Sequence, residues 1–205
     1  MGTPLVIVES PAKARTISKF LGDEYRVEAS VGHIRDLAER KSDLPKKDQK
    51  RPGAKYGVDT ENGFEPLYVI PKTKRDQVKR LRDCIKDASA LYLATDEDRE
   101  GESISWHLLE VLSPKVPVHR LVFPEITDSA IRAAIDNPRE VDENLVRAQE
   151  ARRIVDRLFG FPMSEVLWIK VGPKLSAGRV QSVAVRLVVD RERLRMAHRS
   201  TDWFD

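Results

Sequence analysis

The stretch that most constrains this chain is Ala90–Glu102, reading Ala-Leu-Tyr-Leu-Ala-Thr-Asp-Glu-Asp-Arg-Glu-Gly-Glu. A short apolar run, Leu91 to Ala94, has the length of a buried strand and leads directly into five carboxylates interrupted only by Arg99 and Gly101. From Gly101 onward Ile104, Leu108, Leu109 and Leu112 recur at helical spacing, so the acids occupy a strand-to-helix turn. In extended backbone, residues two apart share a side, which is expected to aim Asp96, Asp98 and Glu100 at one point. Converging carboxylates repel unless a cation sits among them, and hard oxygen donors suit Mg²⁺. The helix dipole favours acids at a helix start by roughly 0.3–1 kcal/mol each, which accounts for one or two of them and not five. A solvated acidic loop is the bland alternative. An EF-hand is excluded, because its twelfth position falls on His107, where a bidentate Glu is required.

The 205 residues suffice for one large domain, or a domain and a half, with a true core. The formal net charge of +3 becomes informative once it is mapped. Residues 1–143 carry 24 Lys and Arg against 26 Asp and Glu, whereas residues 144–199 carry 12 against 5. A basic segment attached to a near-neutral domain points to an anionic polymer. The single cysteine, Cys84, excludes an internal disulfide framework and fits a reducing compartment. No apolar run approaches the roughly 18 residues of a membrane span, and the N-terminus lacks a signal-peptide pattern. The expectation is an intracellular protein without a membrane partner.

Leu5–Val8 reads as a strand ending at Glu9, and Ser10-Pro11 as the cap and first residue of a helix closed by Gly22. Lys13 falls in the first turn, where the dipole disfavours a cation unless an anion arrives to meet it. Tyr25–Val31 predicts a second strand, followed by Gly32-His33-Ile34-Arg35. A lone histidine is more often structural than catalytic, and both readings stay open for His33. Residues 39–63 read as a long polar surface loop. Phe64–Ile70 predicts a strand at an edge, given Pro66, and Thr73–Lys86 a basic amphipathic helix. Val118–Phe123 predicts another strand with Arg120 near its start, and Thr127-Asp128 caps a helix stopped by Asn137-Pro138. Strands alternating with helices imply an α/β fold with a parallel sheet and a site at the strands' C-terminal ends. Glu9, Lys13, Asp96, Asp98 and Glu100 all fall on that rim.

The last quarter is helical in another style. Leu145–Phe159 predicts a helix on which Arg152 and Asp156 are four apart and form an ordinary ion pair. Gly172–Arg179 makes a turn into a long helix with Ser176 as its expected N-cap. Val180, Val183, Ala184, Leu187 and Val188 form its expected buried stripe, and Arg179, Arg186 and Arg193 recur every seven residues. Lys174 and Arg179 beside a Ser- and Gly-containing helix start make a ready phosphate site, although arginines on exposed helix faces are common. Internal repeats and low-complexity segments are lacking.

Four stretches together, Val-Ile-Val-Glu9-Ser-Pro-Ala-Lys13, Gly-His33-Ile-Arg-Asp-Leu, Thr-Asp96-Glu-Asp98-Arg-Glu100-Gly-Glu and Leu-Ser176-Ala-Gly-Arg179-Val-Gln181-Ser, resemble the bacterial type IA DNA topoisomerases. The resemblance covers nearly the whole chain in the family's order. The acidic motifs alone would indicate only a Toprim domain, which primases and some nucleases share, and the first and last motifs discriminate. The resemblance implies a Toprim domain over residues 1–140, a Rossmann-like parallel sheet flanked by helices. Residues 141–205 are then the first, incomplete part of a mainly helical domain that holds single-stranded DNA. It implies relaxation of negatively supercoiled DNA by transient single-strand cleavage, strand passage and Mg²⁺-dependent resealing, in the bacterial cytoplasm at the nucleoid. Glu9 would be the general acid and then base, and Lys13 would stabilise the phosphate's developing charge. Asp96, Asp98 and Glu100 would hold Mg²⁺, with Glu9 a further candidate ligand. Arg152 and Asp156 correspond to a strand-positioning pair, and Arg179 and Gln181 to DNA contacts, beside the phosphate site read at Lys174 and Ser176. His33 and Arg120 match catalytic positions near the site.

One departure matters more than the match. The family's nucleophilic tyrosine lies in a separate domain C-terminal to these motifs, whereas the tyrosines here are Tyr25, Tyr56, Tyr68 and Tyr92. The chain is therefore expected to be an N-terminal piece, inactive alone, whose partner is the rest of the polypeptide. Two rivals are a self-sufficient Mg²⁺-dependent Toprim nuclease, in which metal-activated water attacks the phosphate, and a non-catalytic DNA-binding module.

Overall fold

A computed structural model of the chain describes residues 2–200. Thr201–Asp205, where the resemblance has the chain leaving for further domains, lies outside the described residues. The chain divides into two compact units, with the division between Arg152 and Arg153.

The first unit is built on β1, Leu5–Val8, an unbroken apolar run in which every residue is buried. Such a run suits a central strand covered on both faces. β1 pairs in parallel with β2 (Arg26–Ala29) on one side and β7 (Leu91–Leu93) on the other, and β7 pairs in parallel with β8 (Val118–Arg120). The resulting order is β2-β1-β7-β8. Alternation along β1 splits the core into two layers. Leu5 and Ile7 join Leu91 and Leu93 under α2 (Arg75–Lys86) and α3 (Arg99–Leu112), through Val78, Leu81, Ile104 and Leu108. Val6 and Val8 join Ala94 and Leu121 under α1 (Pro11–Leu21) and α4 (Asp128–Asp136), through Ile17, Leu21 and Ile131. This is the expected α/β arrangement, helices on both faces of a parallel sheet.

Local chemistry sets the helix ends much as the sequence predicts. Ser10 caps α1 by accepting from the Lys13 amide at 3.3 Å, Pro11 occupies the first turn, and Gly22 ends it at φ 59°, where a side chain would strain the backbone. Thr127 caps α4 on the Ala130 amide.

Elsewhere the structure corrects the reading. The strand expected over residues 64–70 is two short pieces. β5 (Glu65–Pro66) pairs antiparallel with β4 (Val58–Asp59), and β6 (Tyr68–Val69) with β3 (Asp36–Leu37). Pro66 donates no amide, and Phe64 enters at φ 59°, so a continuous ladder is not available there. The polar stretch over residues 39–63 is not a simple surface loop. It contains three short 3₁₀ turns and buries Leu44 and Ala54 with Ala38 and Leu67. The helix expected to end at Phe159 runs as α5 over Glu143–Lys170, through Gly160 and Pro162.

In the second unit α6 (Arg179–Ala197) is capped by Gly178 and not by Ser176, whose hydroxyl pairs with Gln181 Oε1 at 3.3 Å. The stripe expected to be buried is open: Val180, Val183, Leu187 and Val188 are each 58–69% exposed. Periodicity marks an apolar face on a helix but does not bring the surface that covers it. Among the described residues no helix is long and apolar enough to cross a membrane.

Leu93 is fully buried at the centre of the α2/α3 layer. Leu93→Ala should cost about 2–5 kcal/mol in chemical denaturation, the range for a buried leucine removed from a packed core. A loss below about 1 kcal/mol would contradict this packing.

Candidate active site

The candidate residues of the first unit other than Arg152, which lies on α5, stand at or just beyond the C-terminal end of a strand. Glu9 follows β1, and α1 begins at once, which places Lys13 one turn above it. The Lys13 ammonium contacts both Glu9 Oε1 and Asp96 Oδ1, so the residues 9, 13 and 96 form one cluster. Burial pulls the lysine's pKa down, but the hydrogen bonds to Asp96 and Glu9 outweigh it and leave the value above normal. The ammonium is thus permanently charged, a fixed cation at the rim. The second oxygen of Glu9 is buried and finds no hydrogen-bond partner among the described residues.

The acidic turn does not continue as extended backbone to Glu100. Asp98 is the N-cap of α3, accepting from the Gly101 amide at 2.7 Å, and Glu100 is already helical. The two-residue alternation expected to align three acids therefore stops at Asp98. Gly101 is required there, since a Cβ would lie 2.1 Å from the Asp96 carbonyl oxygen. Glu100 turns to His33, whose Nε2 lies 3.2 Å from Oε2, and accepts from Gln149 Nε2 at 3.3 Å. Among the described residues no three His, Cys, Asp or Glu side chains gather closely enough to hold a metal. The convergence predicted from the sequence is replaced by separate contacts, Asp96 with Lys13, Asp98 with the helix start and Glu100 with His33. In donor chemistry the set still fits Mg²⁺, with hard carboxylates and the unpartnered Glu9 oxygen on one rim.

Arg120, which the resemblance matches to a catalytic position near the site, is enclosed beneath it. Its side chain is 0% exposed, as is that of Glu102, and the two pair at 2.9 Å. The remaining guanidinium hydrogens go to the carbonyls of Leu93, Thr95, Leu121 and Asp96 at 2.6–3.1 Å. A guanidinium so enclosed cannot touch a substrate. It ties the end of β7 and the start of the acidic turn into one rigid piece beneath the rim. Glu102 also accepts from Arg139 NH2 at 2.5 Å and the Asp142 amide at 2.9 Å.

The sequence reading missed several residues around His33. Arg35 Nε donates to His107 Nδ1 at 2.6 Å, and its guanidinium lies 4.8 Å from the Tyr68 ring and 4.7 Å from the Trp106 ring. The available signal was spacing, since His107 stands seven residues after Glu100, two helical turns on the same face.

Among the expected DNA contacts, Arg152 lies in the first unit and the other five in the second. There Arg179 holds Asp156 in a two-pronged pair, Nε at 2.9 Å and NH2 at 3.3 Å, a partner 23 positions away that helix spacing does not reveal. Lys174 takes a left-handed conformation at φ 65° in the turn before Ser176, and its side chain is exposed.

Glu102→Gln should destabilise the fold by about 3–5 kcal/mol at pH 7, because it leaves Arg120 buried without its counter-charge. Burial raises the pKa of Glu102, but Arg139, the Asp142 amide and Arg120 together hold it below the normal value. A carboxyl depressed on folding contributes stability above its unfolded value of about 4.3, and that contribution disappears as pH falls through the folded value. The difference in urea denaturation between the unsubstituted protein and the Glu102→Gln variant should therefore shrink below about pH 4. A difference that stays constant on acidification would contradict the buried pair.

The Toprim domain family matches residues 4–126, and a DNA topoisomerase family model matches residues 140–205. The DNA topoisomerase 1 of Streptomyces coelicolor is 60% identical over 204 residues, covering 100% of this chain and 21% of that protein. Its counterpart in Mycobacterium tuberculosis is 59% identical over 204 residues, covering 100% and 22%, and that of Synechococcus elongatus 59% over 201 residues, covering 98% and 23%. The chain thus spans about a fifth of the length of the curated relatives it matches. The structure of full-length topoisomerase I from Thermotoga maritima superposes with a TM-score of 0.77 at 47% identity, over 95% of this chain and 31% of that one. The rim of charged residues at the ends of a parallel sheet is accordingly that of a Toprim domain, and the chain belongs to the Toprim family in the form carried by the bacterial type IA DNA topoisomerases.

Proposed function

We propose that this chain supplies the Toprim half of a type IA topoisomerase active site, which breaks and reseals one DNA strand so that supercoils relax. The observation that carries the reading is Lys13, a charged ammonium fixed between Glu9 and Asp96 at the sheet's C-terminal rim. A cation held in this way is ready for a phosphate, whose charge it stabilises as attack proceeds. In cleavage a tyrosine hydroxyl loses its proton to water as its oxygen bonds to phosphorus, and the bond from phosphorus to the 3′ oxygen breaks. Glu9 gives that oxygen its proton, and on resealing takes the proton back. Asp96, Asp98 and Glu100, with the free oxygen of Glu9, would hold Mg²⁺, which when bound supplies positive charge to orient the DNA ends for resealing.

The nucleophile comes from outside this stretch. Burial and the neighbouring Glu150 drive the Tyr68 hydroxyl far above its normal pKa, and it donates to Glu150 at 3.0 Å. Tyr92 is stacked on His119 at 5.0 Å, and Tyr56 lies under the Lys55 ammonium at 4.4 Å. Tyr25 in turn packs edge to face on Tyr92 at 5.9 Å, so each of the four tyrosines is engaged within the fold. Residues 1–140 form the Toprim part and residues 141–205 begin the strand-binding part, a division that the two family matches support. The basic second unit, with Lys174, Ser176, Arg179 and Gln181, holds single-stranded DNA, and Arg152 and Asp156 help position it. The polypeptide acts on negatively supercoiled DNA in the bacterial cytoplasm.

An end-labelled single-stranded oligonucleotide with Mg²⁺ should stay intact with this chain alone. It should yield protein-linked fragments once the tyrosine-bearing portion is joined to the chain. In that joined protein Lys13→Ala should slow cleavage by about 10²–10³-fold, the usual cost of losing one oxyanion-stabilising group, with DNA binding retained. Cutting by the 205 residues alone would overturn the reading in favour of a nuclease.

A further inference from the structure

The aromatic cluster behind His33 has no part in the chemistry above, yet it encloses a buried histidine close to the rim. Arg35 lies between the rings of Tyr68 and Trp106 at 4.8 and 4.7 Å, and its Nε donates to His107 Nδ1 at 2.6 Å. The His107 ring packs against Tyr68 at 4.8 Å and Trp106 at 4.9 Å, and its other neighbour is His33, edge to face at 5.9 Å. His107 is 3% exposed. Burial, with Arg35 and His33 adding to it, lowers its pKa to about 3, so the ring is neutral. Because Nδ1 accepts from Arg35, the ring proton sits on Nε2. One tautomer and one ring orientation are thereby fixed.

The segment that carries His33 needs such a support. Val31 and Gly32 both have positive φ, 58° and 75°. For a β-branched residue such as Val31 this conformation is strained and persists only where its surroundings hold it. Lys74 Nζ donates to the Val31 carbonyl at 2.6 Å, and the Gly32 amide donates to the Glu9 carbonyl at 2.7 Å. Beyond the turn, Ile34 is buried in the core, and Arg35 stitches the segment to α3, the helix that also bears Glu100. Both ends of the contact between His33 and Glu100 are therefore anchored to the same buried ring.

We propose that Arg35 and His107 are positioning residues for DNA cleavage, locking His33 in the orientation in which it meets Glu100. The proposal rests on the topoisomerase reading above. A lysine at position 35 could not serve, because stacking between two rings while donating edgewise to a third requires the planar guanidinium.

The test is a double-mutant cycle in this chain joined to its tyrosine-bearing portion, with single-turnover oligonucleotide cleavage and melting temperature measured for each variant. Asparagine at 107 keeps an acceptor at the place of Nδ1, whereas leucine removes it. His107→Leu and Arg35→Lys should each slow cleavage about tenfold with the KM for oligonucleotide unchanged, and His107→Asn should recover most of the rate. None of the three should slow a His33→Ala protein further. Should the leucine variant fail to fold, Arg35→Lys and His107→Asn in the His33→Ala background decide the matter. Additive losses, equal losses in the leucine and asparagine variants, or unaltered rates would overturn the proposal. A His33→Ala protein that cleaves normally would overturn it while leaving the topoisomerase reading intact, and the absence of protein-linked cleavage in the unsubstituted protein would overturn both.

Discussion

The rim rests on the buried pair of Arg120 and Glu102. Removing two charges from water costs several kcal/mol each, and their attraction offsets that only when every remaining hydrogen and lone pair is also satisfied. Here that condition is met. Arg120 gathers four backbone carbonyls in addition to the carboxylate, and Glu102 gathers Arg139 and a backbone amide. Those carbonyls belong to Leu93, Thr95, Asp96 and Leu121, the points at which β7 and β8 give way to their loops. A pair that would be of doubtful value for stability alone thus acts as a jig for the backbone. It sets where Asp96 emerges, and with Gly101 against the Asp96 carbonyl it sets where α3 begins.

On that platform the acids are held apart. Lys13 takes Asp96, the first turn of α3 takes Asp98, and His33 with Gln149 takes Glu100. Among the described residues only Asp96 of the three has a cationic partner; Asp98 is met by a backbone amide and Glu100 by an imidazole and a side-chain amide, so the acids are separated without all being charge-balanced. Lys13 screens Glu9 from Asp96 in this structure, and in the proposed reaction it also faces the phosphate.

Much of this is legible in the sequence where the signal is local. The caps at Ser10 and Thr127, the stop at Gly22 and the unbroken apolar run of β1 each reflect chemistry confined to a few residues, and the parallel sheet follows from their order. The failures share a cause as well. The resemblance sets Arg120 near the site, and nothing within a few positions of it reveals that Glu102 and four carbonyls enclose it. The Arg35–His107 contact spans 72 positions and the Arg179–Asp156 pair 23, beyond any helical or strand period. Glu100 is misaimed when alternation is carried one step past Asp98, where the period changes from two to 3.6. The stripe on α6 is apolar in pattern as expected, but a pattern cannot supply the surface that would bury it.

The turn between β7 and α3, held from beneath by Arg120, is the proposed cation site, shared with Lys13 and Glu9. The most direct measurement is a Mg²⁺ titration of the chain followed by backbone amide chemical shifts. Saturable shifts confined to residues 96–102, the Glu9–Lys13 turn and His33, and abolished by Asp96→Ala with Asp98→Ala, are expected. Saturable shifts centred elsewhere, or none at these amides at any Mg²⁺ concentration the fold tolerates, would contradict it.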